Sequence, residues 1–144
     1  MALACDLRLA ALHARLGAPV ARTLGNFLAP ESLALLVATV GPVRARELIL
    51  TARLLEAAEA RAVGLVDEVH PADALAARTR ELAGRIAEHA PLTLAATKEA
   101  TRRLLAARSP GSLEDLILSC HLSQDFHEGV RAFLDKRKAR WQGR

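Results

Sequence analysis

The alternation Asp6-Leu7-Arg8-Leu9-Ala10 restricts this chain more than any other feature: polar and apolar residues at period two describe a half-buried strand. Two more strand candidates follow, Ala14-Arg15-Leu16 before Gly17 and Leu65-Val66-Asp67-Glu68-Val69 after Gly64. Two or three short strands form no stable sheet unless something covers their edges and one face. A partner for the first strand is therefore expected from a neighbouring chain or from residues preceding Met1. A chain that begins at Met1 is expected to expose strand edges and to self-associate.

The remainder reads as helix. Thirty Ala and 26 Leu stand against three Phe, one Trp and no Tyr, a mixture that favours helices over β-sandwiches. Pro19 and Gly25-Asn26 mark a long irregular connection, after which Pro30 suits the first turn of a helix running to about Thr39. Gly41-Pro42 stops it, Pro42 opens another through Leu50, and Leu55 to Val63 makes a third, ended by Gly64 in a left-handed cap. Asp73 is the expected N-cap of a helix with Leu75, Thr79, Leu82 and Ile86 on one face. A helix from Pro91 to Arg108 is broken by Ser109-Pro110-Gly111. Ser112 and Asp115 resemble a capping box opening a helix to Gln124 or Asp125, and a last short helix carries Phe126, Val130, Phe133 and Leu134. The fold class is helix-rich α/β, strands early and helices late.

Composition narrows the function classes. No apolar run reaches the roughly 18 residues of a membrane span, and no basic stretch with an apolar core opens the chain, so a cytoplasmic location and no membrane partner are expected. Cys5 and Cys120 make no disulfide framework, and no Cys-x-x-Cys or His-Glu-x-x-His spacing holds zinc, so no metal is expected. The net charge of +4 comes entirely from the last ten residues, where Lys136, Arg137, Lys138, Arg140 and Arg144 face only Asp135. Such a tail with one aromatic, Trp141, is expected to be a frayed, solvated terminus, and no nucleic-acid partner is expected. Nucleotide loops and a Gly-x-Ser-x-Gly elbow are absent. Among carboxylates, only Glu31 lies beside a loop that could line a pocket, and the dipole of its helix N-terminus accounts for it without catalysis.

Several segments nevertheless resemble the crotonase superfamily, the enoyl-CoA hydratase/isomerase family. Ala4-Cys5-Asp6-Leu7-Arg8-Leu9-Ala10 resembles the strand after that family's glycine-rich oxyanion loop. Glu47-Leu48-Ile49-Leu50-Thr51, Ala58-Glu59-Ala60 and Gly64-Leu65-Val66-Asp67-Glu68-Val69-His70-Pro71 are similar to its C-terminal run. Ala90-Pro91-Leu92, Ala96-Thr97-Lys98, then Phe126, Glu128-Gly129, Ala132-Phe133, Lys136-Arg137, Trp141 and Gly143 continue the likeness in order.

The resemblance implies the second half of a ββα spiral over residues 1–71 and a helical trimerisation and CoA-contacting region over 72–144, assembled as a homotrimer or a dimer of trimers. It implies hydration or double-bond shift of a 2-enoyl-CoA through an enolate, as in fatty-acid β-oxidation, with coenzyme A entering as part of the substrate and no other cofactor. Fixed backbone N–H dipoles in a dry pocket suit the developing thioester anion; in the family they come from loops that would precede Met1, as does the first of two glutamates. The second glutamate should follow Pro19, where Val20-Ala21 stands, and neither can carry a proton. Gly25-Asn26-Phe27-Leu28-Ala29 replaces the family's glycine-rich stretch, so Pro19, Val20, Leu24, Gly25 and Leu28 are the expected acyl-site residues. This departure weighs against ordinary two-glutamate hydration and makes Glu31 the candidate substitute acid/base. Phe133 and Lys136 match the aromatic and lysine that in the family reach a neighbouring subunit's CoA, an apolar face and a point charge for phosphate. The rival reading is a non-catalytic helical module that assembles with full-length relatives.

Overall fold

A computed structural model describes residues 2–106 and 114–143. The expected break at Ser109-Pro110-Gly111 and Ser112 of the expected capping box lie outside what is described. The chain divides into two compact units that interleave in sequence, one of residues 1–14 and 56–110, the other of 15–55 and 111–144.

In the first unit a 3-10 turn (Ala2–Ala4) precedes β1 (Leu9–Ala11), which pairs in parallel with β4 (Glu68–His70), Leu9 opposite Glu68 and Ala11 opposite His70. The strand begins later than the alternation predicts, but the ladder extends past both ends. Arg8 N–H donates to the Asp67 carboxylate at 2.7 Å, Asp67 N–H donates to the Arg8 carbonyl at 2.8 Å, and Leu12 N–H reaches the His70 carbonyl at 2.9 Å. Leu65 and Val66, expected in the strand, are instead buried in the turn leading to it. That turn ends α3 (Ala57–Ala62) with Gly64 at φ +76°, Gly64 N–H on the Arg61 carbonyl and Leu65 N–H on the Ala60 carbonyl, the paired bonds of a Schellman cap.

Helix α4 (Ala72–Ala87) starts at Ala72 with Pro71 in the N-cap position, so Asp73 lies in the first turn and is not the cap. Proline supplies the fixed φ of a helix entry and leaves Asp73 to favour the dipole. Its half-buried positions are Leu75, Arg78, Leu82 and Ile86; Arg78 takes the place expected of Thr79 because its guanidinium makes paired bonds of 2.8 Å to Glu68 on β4. His70 Nε2 lies 2.6 Å from the same carboxylate, and these partners, Arg78 foremost, lower Glu68 to a pKa of about 2. Helix α5 (Pro91–Ala106) has no buried residue.

In the second unit β2 (Arg15–Leu16) forms a two-stranded sheet with β3 (Leu55–Glu56), the strand in which the chain passes from one unit to the other. Leu55 was expected in a helix; it is extended and fully buried, since pairing at this point outweighs its helix propensity. Helix α2 (Pro30–Thr51) bends at Gly41, whose φ of +77° and ψ of +161° separate two helical arms as Gly41-Pro42 predicts. Leu36, Ala45, Leu48, Ala52 and Leu55 form the core here. Small alanines bring backbones close, which is how a chain so poor in aromatics fills its interior. Among the described residues no helix is long and apolar enough to cross a membrane.

The C-terminal helices are α6 (Glu114–His121) and α7 (Gln124–Leu134). The break between them comes earlier than expected, because Ser123 is an N-cap: its Oγ accepts from Phe126 N–H at 3.0 Å and donates to the Cys120 carbonyl at 2.6 Å.

Candidate functional site

The residues expected to face an acyl group occupy a short stretch of the second unit. The connection expected to be irregular holds one helical turn, α1 (Val20–Thr23), for which Pro19 is the N-cap; the Thr23 hydroxyl donates to the Pro19 carbonyl at 3.0 Å and fastens the turn. Pro19, Val20, Leu24, Gly25 and Leu28 are all half-buried. Gly25 has φ +66°, a left-handed conformation that a side chain would resist.

Two contacts fix this stretch. On α7, Gly129 is buried beneath Leu24: a Cβ there would lie 2.7 Å from the Leu24 carbonyl carbon. At the C-terminus the Trp141 indole covers Gly25, where a Cβ would meet Cζ3 at 2.9 Å. Gly129 lets the backbone of Leu24, and Gly25 the ring of Trp141, approach more closely than a side chain at either position allows.

The tail carrying Trp141 is not frayed. The Glu128 carboxylate accepts two bonds from the Arg137 guanidinium, at 2.6 and 3.0 Å, and one from Arg140 N–H at 2.9 Å. One turn earlier, the Asp125 carboxylate accepts from Gln142 N–H at 2.6 Å and Gly143 N–H at 2.8 Å. Asp125 and Glu128, three apart and so on one face of α7, hold the terminal segment along the helix. Arg137 first, then the Arg140 N–H, lowers Glu128 to a pKa of about 2. Composition alone hid this, since a run of cations looks solvated until its acceptors are located. The available signal was the pair Asp125 and Glu128 preceding the basic run.

Phe133 and Lys136 lie at the end of α7, both exposed, Phe133 by 68%. Lys136 has φ +53°. Its N–H bonds the Phe133 carbonyl, and Arg137 N–H bonds the Ala132 carbonyl, so α7 ends in the same cap as α3 with lysine where α3 has glycine. Beside it Glu128, Arg137, Lys138, Ala139, Arg140 and Gln142 line an open cleft of about 730 Å³. Glu31 is exposed in the first turn of α2, in the surroundings of an ordinary surface carboxylate. The structure thus brings together the 19–28 stretch and the C-terminal segment, and leaves Glu31 on the surface. Among the described residues no group of three or more His, Cys, Asp or Glu is arranged to hold a metal ion.

The profile of the enoyl-CoA hydratase/isomerase family matches residues 1–144. A Thermus thermophilus protein described as an enoyl-CoA hydratase is 38% identical over 98% of this chain and 56% of its own length. The 2,3-dehydroadipyl-CoA hydratase of Escherichia coli is 33% identical over all of this chain and 57% of its own. A solved methylmalonyl-CoA decarboxylase in complex with 2-nitronate-propionyl-CoA superposes with a TM-score of 0.91 at 31% identity, covering 99% of this chain and 56% of that one. The chain therefore spans about half the length of the relatives it matches.

Proposed function

Since the chain belongs to the enoyl-CoA hydratase/isomerase family, within the crotonase superfamily, we propose that it contributes the acyl-facing and CoA-facing part of a site acting on 2-enoyl-CoA thioesters. The packing of Leu24 and Gly25 against Gly129 and Trp141 carries this reading. It ties the stretch opposite the acyl group to the helix whose end bears Phe133 and Lys136.

In the proposed reaction the thioester carbonyl draws electron density as a water oxygen bonds to C3, and the C2–C3 π pair moves into an enolate that collects a proton at C2. Double-bond shift instead passes a proton from C4 to the acid/base, leaving a dienolate that takes a proton back at C2, so that the double bond comes to lie between C3 and C4. Backbone N–H groups from outside these 144 residues are to meet the enolate oxygen, whether from the same polypeptide or another. Val20 and Ala21 cannot take the water's proton, so two-glutamate hydration is impaired, and Glu31 is the candidate acid/base. Lys136 is to meet a CoA phosphate as a point charge and Phe133 to offer an apolar face. Coenzyme A comes with the substrate and the scheme calls on no resident cofactor. Assembly as a homotrimer or dimer of trimers and a cytoplasmic location belong to the same proposal, in keeping with Cys5 and Cys120 both being free.

Titration with crotonyl-CoA tests binding: saturable binding that weakens in Lys136→Glu is expected, and no binding by the unaltered chain would overturn the reading. Loss of the conjugated enoyl absorbance tests turnover, alone and with a polypeptide carrying the N-terminal half of a relative. Glu31→Gln should then lower kcat about 100-fold, and an unchanged kcat removes Glu31 from the mechanism.

A second reading rests on α5, where Leu92 is 84% and Leu104 68% exposed. Apolar residues left open along a helix suit a module that pairs with full-length relatives without catalysis. Any turnover traced to Glu31 excludes it.

A further inference from the structure

We infer that Asp125 and Glu128 are positioning residues for the 19–28 stretch, acting through the C-terminal segment that they hold as a strap. Four observations join into one path. Asp125 accepts the backbone N–H groups of Gln142 and Gly143, and Glu128 accepts that of Arg140 together with the Arg137 guanidinium. Trp141 lies between these anchors, so its backbone is held on both sides, while the residue as a whole is 41% exposed. Its ring covers Gly25 at the closeness given above, and the Asp125 carbonyl oxygen lies 3.4 Å from where a Gly25 Cβ would be. From below, Gly129 meets the backbone of Leu24.

The stretch is thereby held between a helix and a strap that the helix's own carboxylates fasten. One side alone would not suffice. The stretch has only α1, four residues long, for local structure, and so short a helix is not stable by itself. Bonds to charged acceptors are stronger than neutral ones, and here they are made to backbone N–H groups, so they fix the course of the chain. The inference rests on the proposed function only where it calls the stretch substrate-facing.

The test is hydrogen exchange on the whole chain without ligand, read by peptide. In Asp125→Asn combined with Glu128→Gln, amides of 19–28 should exchange about tenfold faster, while those of 68–87 in the other unit keep their rates. Trp141, the sole tryptophan in a chain without tyrosine, should shift its emission to the red as it leaves Gly25, and Asp125→Glu should restore part of both signals. Faster exchange at 140–143 with 19–28 unchanged would overturn the inference. Should the double variant unfold throughout, Trp141→Leu decides, because it keeps both carboxylates. Faster exchange at 24–28 with 142–143 still protected upholds the inference, and no change at 24–28 overturns it. Failure of crotonyl-CoA to bind would end the functional reading and leave this result standing.

Discussion

Gly25 and Trp141 pack so closely that a side chain at position 25 would collide with the indole: its Cζ3 lies 2.9 Å from the position of a Gly25 Cβ. The φ of +66° adds a second objection to any side chain. Gly25→Ala should therefore destabilise the chain by about 1–3 kcal/mol, combining left-handed strain with overpacking. Denaturant unfolding followed by Trp141 emission measures it.

At Gly129 two effects oppose each other. Alanine improves helix propensity by about 1 kcal/mol, yet its Cβ would lie 2.7 Å from the Leu24 carbonyl carbon. A main-chain atom cannot rotate aside as a flexible side chain would. Gly129→Ala is expected to lose about 1–3 kcal/mol net and to raise exchange at Leu24 more than elsewhere; a stabilised variant would show that the close approach does not exist.

Lys136 occupies the left-handed position that Gly64 fills at the end of α3. Lys136→Gly should raise stability by about 0.5–1 kcal/mol as the strain is relieved, less the entropy glycine adds to the unfolded chain. Crotonyl-CoA affinity should fall in the same variant. Opposite signs in calorimetry and in ligand titration would mark a lysine kept for binding rather than for the cap.

The strap has a pH limit. Glu128 is lowered from 4.5 to about 2, Arg137 being the main cause. A depressed carboxylate contributes stability that is complete above its ordinary value and lost as pH falls toward the folded one. Trp141 emission should change between pH 4.5 and about 2. Glu68 and Glu99 are also held at about 2, by Arg78 and Arg102 first, so acid loosens the other unit in the same window. Glu128→Gln separates the two, since its Trp141 emission should already be shifted near neutral pH.

Much of the fold was legible where a residue acts on its own backbone. Gly41-Pro42 announces the bend in α2, and Gly64 announces the cap of α3, because φ preference is a property of one or two residues. Ser123 carried the same kind of local signal, a hydroxyl three residues before Phe126 N–H, although the helix opened at Ser112 was expected to run past it to Gln124 or Asp125. Leu55 misled for a different reason: its propensity is helical, and only pairing makes it a strand. Asp73 misled because Pro71 fills the cap position just upstream.

The candidate site was legible as a set of positions and not as an arrangement. The order of motifs pointed to Pro19, Val20, Leu24, Gly25 and Leu28, and to Phe133 and Lys136, and nothing in spacing revealed that Gly129 and Trp141 enclose the first group. A basic run read by charge alone was expected to fray, yet Asp125 and Glu128 fasten it.

From its letters alone this chain declared its helices, its turns, its neutral body with a cationic end, and its kinship. The helices and turns arise from periodicity and from conformational preferences that reach a few residues along the backbone, the charge from counting residues, and the kinship from the resemblance of ordered motifs. Which carboxylate receives which N–H, and which glycine lies beneath which ring, was settled only when the two ends of the second unit met. Hydrogen bonds and close contacts depend on distances of a few ångströms, and folding alone brings residues so far apart along the chain within that range.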